Sequence, residues 1–143
     1  MDYKEIDGVV ITPLKRIYHP KGDILHGVKS SDPGFIGFGE AYFSLINKGE
    51  VKGWNKHQKM TLNLIVPIGE VTFVIHDDKK GTFFKISLSN LNYNRLTVPP
   101  ELWIGFIGKG DNNLILNVAS MEHNFIEVDR KNLNELKFDW KLV

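Results

Sequence analysis

Apolar residues recur along this chain in short runs with a period of two, which is typical of β-strands rather than of helices. In the run from Met60 to Val66, for example, Leu62 and Leu64 occupy alternate positions. Gly, Pro, Asn and Asp residues separate the runs, as they do at turns. The predicted strands are Val9–Arg16, Glu40–Ile46, Val51–Trp54, Met60–Val66, Val71–His76, Thr82–Leu88, Tyr93–Val98, Trp103–Ile107 and Leu114–Ala119.

Local signals show how neighbouring strands connect. The polar segment Asp77–Gly81 predicts a β-hairpin with a five-residue connection. Pro67 is expected to interrupt the ladder of its strand, because proline has no N–H to donate. A helical pattern occurs only after Leu133, and it is weak. The chain therefore consists almost wholly of strands joined by turns.

Strands that recur about every 8–12 residues predict an all-β sandwich or jelly roll that encloses a cavity. The length of 143 residues suits one domain with a substantial core, because chains divide into several domains mostly above about 250 residues. No repeat, linker or low-complexity segment interrupts the pattern. We therefore expect a single domain that spans residues 1–143.

Composition excludes several kinds of chemistry. The chain has no cysteine, so disulfides, zinc–thiolate sites, iron–sulfur clusters and a cysteine nucleophile are excluded. Its formal net charge of +1 creates no broad field for nucleic acid or for an anionic membrane. The first residues are polar and acidic, and no apolar run approaches the roughly 20 residues of a membrane span. We expect a cytoplasmic protein that binds neither nucleic acid nor membrane.

Several short motifs follow one another in a recognisable order. They are ITPLKR (11–16), GEAYFS (39–44), VKGWNKH (51–57), GEV (69–71) and VPPELWIGF (98–106). In order and spacing they resemble the dTDP-4-dehydrorhamnose 3,5-epimerase family, small cupins that act on nucleotide-linked 4-keto sugars. The resemblance extends from about Val9 to Trp140, nearly the whole chain.

This resemblance implies a cupin-type jelly-roll barrel, followed here by a short C-terminal segment. It also implies a homodimer that exchanges N-terminal strands, and a substrate pocket inside the barrel. Enzymes of the family use no metal and no cofactor. A histidine removes a proton beside the keto carbon, an aspartate orients that histidine, and a tyrosine returns a proton on the other face. Cationic side chains steady the diphosphate and the enolate, as general acid–base catalysis requires.

Several of the family's catalytic positions carry other residues in this chain. Asn55 stands in the place of the base, and a carboxamide cannot abstract a proton. Ile104 stands in the place of a second family histidine. The tyrosine is expected near Ala119–His123 and the orienting aspartate near Asn132–Asn134, and neither residue type aligns there.

His57 matches a second branch of the same superfamily, the sugar-nucleotide 3,4-ketoisomerases. Their pattern Arg-Gly-x-His-x-His-Lys becomes KGWNKHQ at residues 52–58, so His57 corresponds to the second histidine. Histidine suits proton transfer because its unperturbed pKa is about 6.5. We therefore predict His57 as the catalytic acid–base group, with a half-buried structural histidine as the alternative.

The same resemblance suggests residues that contact substrate. Lys52 keeps the positive charge of the family's arginine, and Lys21 lies where an Arg-Gly pair is common. Trp54 and Trp103 are expected to flank the pocket and to stack on a base or sugar. The predicted substrate-binding residues are Lys21, Lys52, Trp54, Asn55, Lys59 and Trp103.

A metal site of the kind found in many cupins is not expected. Such sites take a His-x-His pair, a glutamate and a later histidine, and only His57 of these four ligands is present. A transition metal needs about three or four protein donors in one cavity. We predict neither a bound metal nor a cofactor.

Two functions of different classes fit the sequence. The first is a nucleotide-sugar epimerase or isomerase acting on a dTDP-4-keto-6-deoxy sugar, in deoxysugar or surface-polysaccharide synthesis. The second is a catalytically inactive module that binds a sugar nucleotide or carbohydrate, or a partner subunit of another enzyme. The substituted base, orienting acid and tyrosine favour the second function, whereas His57 favours the first.

Overall fold

Two five-stranded antiparallel sheets face each other in the computed structural model, which describes residues 1–143. The strands are β1 (Val10–Pro13), β2 (Arg16–Ile17), β3 (Ile24–Leu25), β4 (Glu40–Asn47), β5 (Val51–His57), β6 (Leu62–Ile68), β7 (Glu70–Asp77), β8 (Thr82–Ser89), β9 (Asn94–Val98), β10 (Trp103–Gly108), β11 (Asn112–Ala119) and β12 (Val128–Arg130). The order β1-β9-β6-β11-β4 forms what we call the β4 sheet, and β12-β5-β10-β7-β8 forms the β5 sheet. Strands β2 and β3 form a separate small hairpin.

The core lies between the two sheets. Leu62, Leu64 and Val66 of β6 alternate inward and meet Val71, Phe73 and other apolar side chains of the facing sheet. Burying one such side chain stabilises the fold by about 1.5–3 kcal/mol relative to leaving it exposed. The all-β jelly-roll prediction is confirmed, and its source is this alternation of inward and outward side chains.

Strand β6 continues through Pro67, where the sequence predicted an interruption. Ile65 pairs with Leu116 and Ile68 with Leu114, so three steps along β6 face two steps along β11. Pro67 lies in the resulting β-bulge. Because a bulge leaves a residue outside the ladder, the missing N–H of proline is tolerated there.

The ends of the chain differ from the predicted elements. The first predicted strand is divided into β1 and β2, and Pro13 ends β1. The region after Leu133 contains no α-helix but two 3-10 turns, Leu133–Glu135 and Trp140–Leu142. These segments lie against the outer face of the β5 sheet through apolar side chains such as Leu136 and Trp140. Packing on the sheet therefore determines their conformation more than helix propensity does.

Strands β3 and β12 were not among the predicted strands. They have only two and three residues, too few for a periodic pattern.

The hairpin of β7 and β8 is confirmed, with Asp77 included in the strand. The only helices are 3-10 turns, and none is long or apolar enough to cross a membrane.

Candidate active site

A cavity of about 220 Å³ opens between the two sheets. Its walls combine an apolar interior with polar side chains from both sheets, as ligand pockets commonly do. The β4 sheet contributes Tyr42, Ser44, Leu62, Leu64, Ile115 and Asn117. The β5 sheet contributes Lys52, Gly53, Asn55, His57, Ile104 and Phe106.

A β-bulge in β5 determines which of its side chains face the cavity. Lys52 pairs with Phe106 and Asn55 with Ile104, so β5 advances three residues while β10 advances two. In a regular strand, residues three apart point to opposite faces. The extra residue removes that difference, and both Lys52 and Asn55 line the cavity.

Glycine at position 53 permits the close approach of β5 and β10 at this bulge. A Cβ atom on Gly53 would lie 2.9 Å from the Cα atom of Gly105. Real Cβ atoms almost never come so close to backbone, so a side chain at position 53 would push the strands apart. The spacing of the two glycines therefore fixes the local geometry of the cavity wall.

His57 is held by a buried glutamate. Its Nδ1 atom lies 2.6 Å from Oε2 of Glu127, and the two side chains are 11% and 4% exposed. Glu127 ends a 3-10 turn, Phe125–Glu127, and the next residue, Val128, pairs with His57 across β12 and β5. The other carboxylate oxygen of Glu127 accepts the backbone N–H groups of Lys59 at 3.0 Å and Met60 at 2.9 Å.

These contacts determine the protonation of the pair. Burial raises the pKa of Glu127, but the hydrogen bonds from His57 and from the amides of Met60 and Lys59 lower it, and the pKa lies below its ordinary value. At neutral pH the glutamate is therefore a carboxylate, which can only accept hydrogen bonds. The Nδ1 atom of His57 must carry the hydrogen in this bond, so in the neutral ring Nε2 has a free lone pair. A histidine in this state can act as a general base.

Tyr42 lies on the opposite wall of the cavity. Its hydroxyl oxygen accepts a hydrogen bond of 3.0 Å from Nδ2 of Asn117. A tyrosine was expected near Ala119–His123, but the one that lines the cavity comes from β4. The signal for it was present in the sequence, because Tyr42 and Ser44 alternate within GEAYFS in a predicted strand.

Glu127 was also missed by sequence analysis. The orienting acid was expected near Asn132–Asn134, but the carboxylate that contacts His57 lies several residues earlier, in the turn Phe125–Glu127. No spacing rule links His57 and Glu127, because they are 70 residues apart and meet only through the pairing of β12 with β5.

Three of the predicted site residues lie together in the cavity: His57, Asn55 and Lys52. Lys52 also bridges the two sheets, since its Nζ donates to the backbone oxygen of Leu45 in β4 at 2.6 Å. The ammonium group therefore lies between the sheets on the side where β4 and β5 come together. A single cation at this place can hold an anionic oxygen.

Trp54 and Trp103 do not flank the cavity, which corrects the sequence-based expectation. Trp54 is fully buried on the outer face of the β5 sheet, with its ring 5.2 Å from that of Trp140. Trp103 is 4% exposed, and its Nε1 donates to Asp78. Both residues alternate with cavity-lining neighbours, Asn55 and Ile104, and so point the other way.

Lys59 and Lys21 also lie outside the cavity lining. Lys59 is exposed in the bend after β5, and only its backbone N–H reaches the site, through Glu127. Lys21 is exposed in the turn between β2 and β3, where its amide donates to Nδ1 of His19. Neither ammonium group contributes charge to the cavity of its own chain.

The cavity contains three of the positions that supply metal ligands in other cupins, but only one of them is a histidine here. Asn55 and Ile104 line the cavity with His57. Nowhere do three histidine, aspartate, glutamate or cysteine side chains converge into a group that could hold a metal ion.

An antiparallel jelly roll with a histidine–carboxylate pair and a tyrosine on facing walls defines a cupin-type protein with an acid–base pocket. A scan against protein-family models and a search of the curated proteins found no match. Among solved structures, a dTDP sugar isomerase from Desulfovibrio desulfuricans G20 is similar over 95% of this chain and 92% of that one, with a TM-score of 0.90 and 30% sequence identity. The chain belongs to this cupin-type family of dTDP-sugar isomerases and epimerases.

More distant structures share the fold. The sugar 3,4-ketoisomerase QdtA from Thermoanaerobacterium thermosaccharolyticum, in complex with TDP, has a TM-score of 0.78 and 18% identity over 92% of this chain and 93% of that one. A dTDP-6-deoxy-D-glucose-3,5-epimerase from Legionella pneumophila, in complex with dTDP-4-keto-L-rhamnose, has a TM-score of 0.82 and 18% identity over 96% and 81%. Both branches identified by sequence resemblance therefore share this architecture.

Proposed function

We propose that this chain is an isomerase of a dTDP-linked 4-keto-6-deoxy sugar, in the synthesis of deoxysugars or surface polysaccharides. The observation that carries the proposal is the His57–Glu127 pair, which faces Tyr42 across one cavity. The 30% identical relative is a dTDP sugar isomerase, which supports the same substrate class. The inactive alternative depended on a substituted base, orienting acid and tyrosine, and His57, Glu127 and Tyr42 can fill these three roles.

The proposed reaction begins at the carbon beside the ketone. The Nε2 atom of His57 takes the proton, and the C–H electron pair forms a carbon–carbon double bond while the ketone oxygen becomes an enolate. Glu127 stabilises the imidazolium that results, as a carboxylate partner does in other acid–base sites. Lys52 and the amide of Asn55 lie on the same wall and can stabilise negative charge on the enolate or on the diphosphate.

Tyr42 is the proposed proton donor of the second step. If a proton returns to the same carbon from the wall of Tyr42, the configuration of that carbon inverts. If instead one proton passes from the hydroxyl oxygen of the enediolate to the former ketone oxygen, and a second proton is added to the former ketone carbon from Tyr42 or from the His57 imidazolium, the ketone moves to the neighbouring carbon. Both products arise from the same enolate, so His57 and Glu127 have the same roles in each.

We further propose a homodimer with exchange of N-terminal strands. The outer face of the β4 sheet carries exposed Phe43 (65%), Leu45 (68%) and Ile68 (54%). Large exposed apolar patches of this kind mark interaction sites. If β1 pairs with β9 of a second copy, the β2–β3 hairpin that follows β1 moves with it. Lys21, in the turn of that hairpin, would then add its charge to the cavity of the partner.

The catalytic proposal is tested with dTDP-4-keto-6-deoxyglucose in D2O, followed by proton NMR. Wild-type protein is expected to incorporate deuterium at a carbon beside the ketone and to form an isomer. His57→Ala should reduce the exchange rate by about 10²–10⁴-fold, the range of a positioned base.

His123→Ala is the matched control, because this histidine is exposed and lies outside the cavity. Exchange at the background rate in wild type, or equal exchange in wild type and His57→Ala, contradicts the proposal. Binding of dTDP without exchange would establish the inactive binding module instead.

A further inference from the structure

We propose that Asn117 positions Tyr42 as a proton donor, an inference that rests on the proposed isomerase function. Asn117 is 2% exposed and lies in β11, directly opposite Tyr42 in the β11–β4 ladder. Directly opposed residues project from the same face of a sheet with closely spaced Cβ atoms. The hydrogen bond from Nδ2 of Asn117 to the hydroxyl oxygen of Tyr42 is 3.0 Å long.

The orientation of the Asn117 amide is fixed from the other side. Its Oδ1 atom accepts the backbone N–H of Asn63, in the neighbouring strand β6, at 3.1 Å. A flipped amide would place an NH2 group against this N–H, and two donors would face each other. The amide nitrogen must therefore be the atom that faces Tyr42.

The polarity of the second bond follows from the first. An amide NH2 group only donates, so the hydroxyl oxygen of Tyr42 is the acceptor. The phenolic hydrogen is then not used by Asn117 and is available to an oxygen or carbon of a ligand in the cavity. A bond donated to the phenol oxygen also stabilises the negative charge that remains after the proton has left. Asn117 thus sets the direction of proton transfer on this wall, while Glu127 sets it on the other.

Asn117→Asp reverses this polarity with almost no change in shape. The carboxylate still accepts the Asn63 amide, but its second oxygen now accepts the hydroxyl hydrogen of Tyr42 and withholds it from the substrate. We expect the kcat of the variant to fall about 100-fold, the lower end of what a positioned acid contributes. The affinity for dTDP should change less than about threefold. Asn117→Ala, which removes both bonds, should lose less activity than Asn117→Asp.

A spectroscopic signature separates this role from a structural one. The 13Cζ resonance of Tyr42, assigned by its loss in Tyr42→Phe, should move downfield in Asn117→Asp, because the hydroxyl then donates to a carboxylate. Asn112→Asp is the matched control: the same substitution in the same strand, at an exposed position outside the cavity. It should leave the resonance and kcat unchanged.

Equal 13Cζ shifts in wild type and Asn117→Asp, or equal kcat values, overturn the proposal. If Asn117→Asp does not fold, the 13Cζ shift in Asn117→Ala decides, because loss of the donated bond must move it relative to wild type. The NMR comparison needs no substrate. An absence of turnover in the wild type would therefore reject the isomerase function, while the 13Cζ comparison still decides the polarity of the Asn117–Tyr42 bond.

Discussion

The side chains of His57 and Glu127 form a short contact almost shielded from solvent. Because the ionised carboxylate accepts the hydrogen on Nδ1, it selects the tautomer whose Nε2 can receive a proton. Two backbone amides hold the other carboxylate oxygen, so the glutamate cannot rotate away without losing them. The tautomer of His57 therefore depends on a residue that lies outside the lining of the cavity.

Glu127→Gln is expected to retain binding but lose proton transfer. The amide can donate to Nδ1, which would place the imidazole hydrogen on Nε2 and remove its free lone pair. We expect deuterium exchange to fall about 10²-fold or more, with dTDP affinity within a few-fold of wild type by calorimetry.

Glu122→Gln, an exposed glutamate in the preceding loop, is the control and should exchange as wild type does. A Glu127→Gln variant with the full exchange rate would show that the carboxylate does not set the tautomer.

Stability should also depend on pH through Glu127. Its pKa in the folded protein lies below the ordinary value of 4.5. The carboxylate therefore stabilises the fold above pH 4.5, and this contribution is lost as the pH falls through the folded pKa. Thermal unfolding of wild type and Glu127→Gln from pH 7 to about pH 3 should show a Tm difference that shrinks on acidification. A constant difference would contradict this assignment.

At the scale of elements, the bulge in β5 controls the site. Gly53→Ala would place a Cβ atom 2.9 Å from the Cα atom of Gly105, and the strands would have to separate. Because a backbone atom cannot move as a side-chain tip can, we expect a loss of about 1–3 kcal/mol in the free energy of unfolding. Urea denaturation measures it, and exchange activity should fall as Lys52 and Asn55 shift.

Gly37→Ala provides the comparison for Gly53→Ala. The nearest atom to a Cβ at position 37 is 4.0 Å away, so this variant should unfold like wild type. Equal stability of the two variants would show that the close approach of β5 and β10 is not required.

The strands could be predicted because alternation is a local property. Met60–Val66 and Trp103–Ile107 are recognisable from their own residues; the structure shifts the first by two residues, to Leu62–Ile68, and extends the second by one residue, to Gly108. The opposite facing of Trp54 and Asn55 follows from alternation, but the shared facing of Lys52 and Asn55 could not be predicted, since it depends on a bulge that no local pattern records. The contact between Glu127 and His57 could not be predicted for a related reason, because it depends on which strand β12 pairs with.

At the scale of the whole molecule, the exposed apolar face of the β4 sheet is the surface on which the proposed homodimer can be tested. We expect light scattering at micromolar concentration to give twice the 16.3 kDa of one chain. Leu45→Glu should shift the mass towards one chain, because it would bury a charge without a partner.

Leu91→Glu is the matched control, at a fully exposed leucine outside the patch, and should keep the mass of wild type. A wild-type mass of one chain would reject the homodimer. A dimer that Leu45→Glu does not weaken would place the interface elsewhere.

The extra residue in β5 reverses which face of the sheet each following side chain occupies. On one side of Gly53 the cavity is met by Lys52, and on the other by Asn55 and His57. Without the extra residue, regular alternation from Lys52 would turn Trp54 towards the cavity and would turn Asn55 and His57 away from it. The number of residues between fixed points of this strand, with no change of any side chain, thus decides whether the pocket presents a proton acceptor or an aromatic wall. Pocket redesign in such a sheet can therefore proceed by inserting and deleting residues as well as by substitution.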